Sequence, residues 1–379
     1  MNYVIFGAGK AGQYLANELI VRGGGTVDAF LDNLADTSQP VCGIPVHRPD
    51  DYLSTHRPEA VILAAGAQKA IWQMILKLRA YGVQDIYMLH DIAGKNHLPL
   101  FDAQGAFLPE RVRKIRFSDE RPTLPYFEIP ITDACNLNCK GCLFSCNRHG
   151  ERDHMTLAEI TSDFRRMSEL FYDIPWIRIL GGEPLLHPDL AGAVRAAREI
   201  FPTTEIDICT NGLLVPQMSD ELLQTIAAQH VTVHISEYRP VEKIASQIAA
   251  RLKSFGIEHY FLKREEFYKF YTQHPEHDGT KSHEACPSSG CREVYRGKLV
   301  KCSAVLAFER MNKQFGTQYD VRKGEDWFDL HDERLTGWDI MKKLDEAVPA
   351  CRYCDTAHQQ FFSWAPGTAE KLADYVLDA

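Results

Sequence analysis

The sequence predicts an α/β protein built on parallel sheets, and three observations predict it. Strand-like apolar runs alternate with helix-length segments over residues 1–90 and again from residue 126 onward, which implies parallel strands joined by helical crossovers. A glycine-rich turn, Gly7-Ala8-Gly9-Lys10-Ala11-Gly12, lies between the first strand and the first helix, where a Rossmann-like unit carries its phosphate-binding loop. Directly after the strand-like run 126–131 come Cys135, Cys139 and Cys142, at C-x3-C-x2-C spacing.

Bulk properties narrow the class. A chain of 379 residues is long for one compact domain and comfortable for two or three. Its formal charge of -9, with no long basic run, argues against a nucleic-acid surface. The chain opens in a strand at residues 2–6, without the charged and apolar segments of a secretion signal. No apolar run reaches the length of a membrane span. Eleven cysteines in such a chain point to metal ligation in a reducing compartment and not to a disulfide framework. The expectation is a cytoplasmic protein with neither nucleic-acid nor membrane partners.

In the head, residues 1–90, strands are predicted at 3–6, 27–31, 61–65 and 83–89, with helices at 13–21 and 67–81. Gly7, Gly9 and Gly12 form a G-x-G-x-x-G turn in its strand–turn–helix context, and Asp32 ends the second strand twenty residues after Gly12. The glycines allow a phosphate to approach the helix N-terminus, and Asp32 stands where a ribose hydroxyl is bound. A nucleotide is therefore the candidate ligand of the head, and a tight strand–helix crossing without ligand is the alternative. The unit supplies little more than one of the two mononucleotide halves of a dinucleotide site. It is similar to the small Rossmann-like domains that precede sugar acyltransferases, on Phe30-Leu31-Asp32-Asn33 and Gly43-Ile44-Pro45-Val46. Residues 91–125, with four prolines and the basic run Arg111-Val112-Arg113-Lys114, read as a connector with a solvated face.

From residue 126 the predicted strands are 126–131, 176–180, 205–209, 231–236, 259–263 and 299–302, with helices at 156–171, 189–201, 220–229 and 241–255. Thr156 followed by Glu159 is a capping-box signature. Three thiolates on one loop suit an iron–sulfur cluster or zinc. A structural zinc wants four protein ligands, whereas three leave one iron of a cubane open to a small molecule. Two further motifs follow strands two and three: Gly181-Gly182-Glu183-Pro184 and Thr210-Asn211-Gly212.

These three motifs, in this order, resemble the radical S-adenosylmethionine (SAM) superfamily, and the likeness covers roughly residues 120–365. The resemblance implies a partial (β/α)6 barrel over 126–280, with functional groups at the C-terminal strand ends. It implies that Cys135, Cys139 and Cys142 hold a [4Fe-4S] cluster whose open iron chelates SAM. A one-electron reductant such as flavodoxin or ferredoxin then generates a 5′-deoxyadenosyl radical. Gly181, Gly182 and Glu183 would receive the methionine amino group, and Thr210, Asn211 and Ser236 are further SAM-contact candidates. One departure stands out: the position before the third cysteine, usually aromatic and packed on adenine, is Gly141.

The tail, residues 281–379, adds Cys286, Gly297-x4-Cys302 and Cys351-x2-Cys354. It is small and cysteine-rich, and it resembles the single-cluster form of the SPASM extension, the Twitch domain, which implies a second, auxiliary [4Fe-4S] cluster. A four-thiolate zinc site fits the ligand number equally well, and Cys291 is an alternative to Cys286. Together the resemblances imply an oxidoreductase that dehydrogenates a sugar-like small molecule, free or nucleotide-activated. Epimerisation is the close alternative, with Cys209 or Cys291 as the hydrogen donor, and peptide modification or a non-catalytic scaffold are further ones. Cys42 and Cys146 remain without a role.

Overall fold

A computed structural model describes residues 2–22, 25–65, 68–145, 153–286, 288, 291–344, 346–367 and 371–378, which leaves Cys146 outside the described residues. The chain divides into two compact units, Met1–Arg116 and Phe117–Ala379.

In the first unit the strands are β1 (Asn2–Phe6), β2 (Thr26–Leu31), β3 (Val46–His47), β4 (Ala60–Leu63), β5 (Ile86–Leu89) and β6 (Val112–Lys114). They form one sheet in the order β3-β2-β1-β4-β5-β6. The first five are parallel and β6 is antiparallel to β5. Helices α1 (Lys10–Arg22), α2 (Pro49–Thr55), α3 (Gln68–Ala80) and α4 (Asp91–Asn96) complete it. The near-continuous apolar runs of β1 and β4 are what a doubly covered parallel strand requires, and Val4, Ile5, Val61 and Ile62 are at most 1% exposed. The stretch expected as a connector is folded through Arg116, because β6 satisfies the open backbone edge of β5. Arg113 of the basic run is buried there, not part of a solvated face.

The glycine turn divides its labour. A Cβ on Gly12 would lie 1.9 Å from the Gly7 carbonyl oxygen, and one on Gly7 2.6 Å from that of Ala64, so both serve close packing. A Cβ on Gly9 would meet nothing within 4 Å. Asp32 accepts backbone hydrogen bonds from Ala8 (2.9 Å), Leu34 (2.8 Å) and Ala35 (2.9 Å). Burial opposes its ionisation, but these donors and nearby Arg48 hold the carboxyl below its usual range.

The second unit contains β7 (Tyr126–Pro130), β8 (Trp176–Leu180), β9 (Glu205–Thr210), β10 (Thr232–Glu237), β11 (His259–Lys263), β12 (Glu266–Lys269), β13 (Glu293–Tyr295), β14 (Lys298–Val300), β15 (Trp327–Asp329) and β16 (Gln360–Ser363). Its helices are α5 (Leu157–Leu170), α6 (Leu190–Ile200), α7 (Asp220–Ala228), α8 (Arg239–Glu242), α9 (Ala245–Ser254), α10 (Gly279–Ala285), α11 (Ser303–Phe315) and α12 (Gly337–Lys343). An eight-stranded sheet runs in the order β11-β10-β9-β8-β7-β13-β14-β15, and β12 pairs separately with β16. The mixed α/β class and parallel sheets are those expected. The strand expected at 299–302 is β14, which joins beyond β7 in an antiparallel hairpin with β13, not beside β11. It goes there because β7 offers an open edge: the Glu128 amide donates to the Arg292 carbonyl at 2.8 Å. Arg296 and Gly297 are both left-handed in that hairpin's turn, and the Gly297 amide donates to the buried Asp163 carboxylate of α5.

The sheet has two unlike faces. Phe127, Ile129, Ile177, Ile179, Ile206, Ile208, Val233 and Ile235 pack against Ile160, Phe164 and Met167 of α5 and Ala193, Val194 and Ala197 of α6. These helix residues recur at three and four positions, the period of one helix face. The Thr156–Glu159 capping box is formed as predicted. Residues alternating with the apolar set, Glu128, Arg178, Asp207, His234 and Ser236, are buried on the opposite face. The Arg178 guanidinium grips Asp207, with Nε to Oδ2 at 3.0 Å and the terminal nitrogen at 2.7 Å, and lies 3.7 Å from Glu128.

Gly12→Ala is expected to destabilise the first unit by about 1–3 kcal/mol through overpacking, whereas Gly9→Ala should leave its melting temperature unchanged. Thermal denaturation of the two variants checks this, and equal effects would contradict it.

Candidate active site

The motifs meet at the C-terminal ends of β7, β8 and β9, and backbone contacts set their spacing. The Gly182 amide donates to the Thr132 carbonyl at 2.8 Å, and the Glu183 amide to that of Ala134 at 2.7 Å. A Cβ on Gly182 would come 2.3 Å from the Ala134 oxygen, so any side chain there would push the two loops apart. Glu183 is 0% exposed. Its carboxylate accepts from the Thr210 hydroxyl (2.6 Å) and from the amides of Asn211 (2.9 Å) and Leu185 (3.0 Å). Asn211 in turn donates its side-chain amide to Asn136, inside the cysteine loop, at 2.7 Å. One chain of hydrogen bonds thus joins all three motifs. The Glu183 side chain, expected as an acceptor for the methionine amino group, is thus engaged inward by three donors of the protein itself.

Cys135, Cys139 and Cys142 are close enough to act on one another's ionisation. Burial is the main force pushing the Cys135 and Cys139 thiols up to about 12. Such thiols become thiolates when a metal faces them. Donors are already aimed at the sulfurs: the Leu137 amide at Cys135 (3.4 Å) and the Trp364 indole at Cys139 (3.1 Å). Soft, buried sulfur with N–H donors suits an iron–sulfur cluster.

Residues 129–255 match the Radical SAM superfamily. The match spans 127 of the chain's 379 residues and takes in all three motifs. The cofactors of that superfamily are a [4Fe-4S] cluster and SAM. Two curated relatives are each named GTP 3′,8-cyclase. The protein of Peptoclostridium acidaminophilum is 33% identical over 117 residues, 30% of this chain and 35% of its own. That of Alkaliphilus metalliredigens is 32% identical over 120 residues, 31% and 37% of the two chains. This chain therefore spans 35–37% of the length of those relatives. Among solved structures, BtrN in complex with AdoMet and 2-DOIA aligns over 68% of this chain and 100% of its own, at 18% identity and a TM-score of 0.39. Streptococcus suis SuiB bound to S-adenosylmethionine aligns over 37% and 33% of the two chains, at 19% identity and a TM-score of 0.31.

Beyond the radical SAM motifs, four tail cysteines converge. Cys286, Cys302, Cys351 and Cys354 line one small cavity of about 20 Å³ together with Phe270, Val348 and other largely apolar residues. Burial pushes all three of Cys302, Cys351 and Cys354 upward. Backbone amides of Ser288, Ala304 and Val348 point at Cys286, Cys302 and Cys351 at 3.3–3.5 Å. Lys301 adds a cation to the lining, although burial draws its ammonium down to about 8. Cys291 is not among the residues lining this cavity; burial raises its thiol, with Glu128, Glu293, Cys302 and Cys286 adding to the effect. No group of three or more His, Cys, Asp or Glu among the described residues is gathered as a single metal ion would need. No helix among them is long and apolar enough to cross a membrane.

Cys209, half-buried, is the penultimate residue of β9, its sulfur 3.7 Å from the hydroxyl of Ser236, the penultimate residue of β10. Cys42 is exposed in a turn of the first unit. Sequence reasoning passed over Glu128, Arg178, Asp207, His234 and Glu293. Their signal was the polar residue at every second position of strands that a βαβ pattern would bury on both faces. It also passed over Phe362. Gly141 has a left-handed backbone (φ 69°), and a Cβ there would lie 2.6 Å from the Phe362 ring, so the tail supplies an aromatic side chain where the motif lacks one.

Burial raises the Glu183 carboxyl to about 7, against the three hydrogen bonds that favour its charged form. A carboxyl with a raised folded pKa contributes most below its unfolded value and loses that contribution as pH rises through the folded one. Wild-type stability should therefore fall relative to Glu183→Gln between about pH 5 and about pH 8. Parallel thermal melts test this, and a constant difference across that range would refute it.

Proposed function

We propose that the chain is a radical SAM oxidoreductase that dehydrogenates a hydroxyl-rich, carbohydrate-type small molecule. The observation that carries this reading is the second sulfur site, in which Cys286, Cys302, Cys351 and Cys354 line one cavity apart from the Cys135 loop. With bound clusters and SAM, the two sites supply one-electron hydrogen abstraction at the first and an electron acceptor at the second. Cys135, Cys139 and Cys142 hold the first cluster, and Cys286, Cys302, Cys351 and Cys354 the auxiliary one. The backbone of 181–183 receives the methionine amino group, with Thr210 and Asn211 keeping that loop in register. Ser236 offers a hydroxyl at the same strand ends. Arg178, Asp207 and His234 give the inner sheet face the donors and acceptors a polyol would match. The open face of Gly9, which no packing contact explains, supports a nucleotide at the glycine turn of the first unit. A cytoplasmic setting and a flavodoxin- or ferredoxin-type reductant go with this chemistry. The cyclase relatives match only 30–31% of this chain, so their substrate is not carried over.

Replacing Cys135, Cys139 and Cys142 together by Ala should remove one cluster of iron and abolish 5′-deoxyadenosine formation. Replacing the four tail cysteines should remove the other cluster and leave SAM cleavage measurable. Cleavage by the first variant would end the reading.

Epimerisation is the second reading, favoured by one observation: a half-buried thiol, Cys209, at a strand end beside Ser236. A thiol donor exchanges with solvent, so an epimer formed in heavy water would carry one new deuterium at the inverted carbon. An oxidised product without that deuterium is expected. Solvent deuterium that disappears in Cys209→Ala or Cys291→Ala would overturn dehydrogenation.

A further inference from the structure

The cysteine loop is held by a segment more than two hundred residues away. The Asn138 side chain donates to the Gly367 carbonyl at 2.7 Å, and the Gly367 amide returns a bond to Asn138. The amides of Lys140 and Gly141 donate to the carbonyls of Ala365 and Asp374, each at 2.9 Å. Phe362 covers Gly141, and its position is set by the pairing of β16 with β12, where it faces Phe267. The Trp364 indole N–H then reaches the Cys139 sulfur at 3.1 Å, shorter than the 3.3–3.5 Å of the backbone donors on the other thiols. Cys139 is itself only 8% exposed.

The tether does not need this indole. Ala365, Gly367 and Asp374 fasten the loop through backbone groups alone, whatever side chain stands at 364. What Trp364 adds is a hydrogen-bond donor on a ligand sulfur. A donor on a ligand sulfur stabilises the more negative, reduced form of a cluster over the oxidised form. We infer that Trp364 is a positioning residue that raises the reduction potential of the cluster held by Cys135, Cys139 and Cys142, so that the C-terminal segment sets how readily the SAM site accepts its electron. This rests on the cluster assignment made above. The couple is a simple one-electron reduction, with the electron coming from a low-potential flavodoxin- or ferredoxin-class donor.

The test is a redox titration of the reconstituted full chain, following the electron paramagnetic resonance signal that changes when SAM is added. That signal distinguishes the first cluster from any auxiliary one. Trp364→Phe keeps the ring and removes the N–H. At fixed potential its reduced-to-oxidised ratio should fall about fivefold to tenfold, tenfold corresponding to about 59 mV in a one-electron couple. Phe362→Leu, which alters the cover but no donor, should leave the midpoint in place. A wild-type midpoint in Trp364→Phe at full iron content overturns the inference, as does an equal shift in Phe362→Leu. Absence of any SAM-sensitive signal in the wild type overturns the cluster assignment instead. If Trp364→Phe does not retain iron, wild-type protein labelled with 15N-tryptophan decides the matter. A 15N hyperfine coupling to the SAM-sensitive cluster supports the contact, and no coupling overturns it.

Discussion

The buried carboxylate of Glu183 is the constraint on which the site depends. It collects one hydroxyl and two amides from two different strand ends, and Asn211 extends the same chain of bonds to the cysteine loop. A fully desolvated acid is costly unless its oxygens are matched, and a partly matched network is worse than an apolar one. The loops after β7, β8 and β9 therefore have one arrangement that satisfies it. Gly182 is part of the same requirement, because only a residue without Cβ lets the second loop sit against Ala134.

Around that node the sheet sorts its residues by face. The apolar face buries against the α5 and α6 stripes and supplies the bulk of the hydrophobic stabilisation. The opposite face carries Arg178 clamped to Asp207, with Glu128, Glu293 and His234 near it. Buried ion pairs of this kind add little net stability but are expensive to break from one side. Glu128 and Glu293 face each other across β7 and β13, and burial raises both.

The tail is not an appendage. Residues expected as a separate extension from 281 contribute β13, β14 and β15 to the main sheet and β16 to the ribbon with β12. The same segment closes over Gly141 and reaches Cys139, so the C-terminus and the cysteine loop are packed together. The four tail thiols gather only because Cys302 caps α11, Cys286 ends α10 and Cys351 lies in the single turn Pro349–Tyr353.

Much was legible along the chain because its causes are local. Strand and helix periods, the Thr156 capping box, the glycine turn and the spacing of Cys135, Cys139 and Cys142 all depend on neighbours a few residues away, and they led to the α/β class and the radical SAM likeness. The convergence of Cys286, Cys302, Cys351 and Cys354 was suggested by resemblance, but which thiols share a cavity, and that Cys291 does not, depended on helix placement. The inward turn of the Glu183 side chain, the Glu128–Glu293 pairing and the contacts of Phe362 and Trp364 with the cysteine loop were decided by tertiary structure alone. Each joins residues between 27 and 225 positions apart, and no local propensity or spacing encodes which distant strand edge or loop will be left open to receive them.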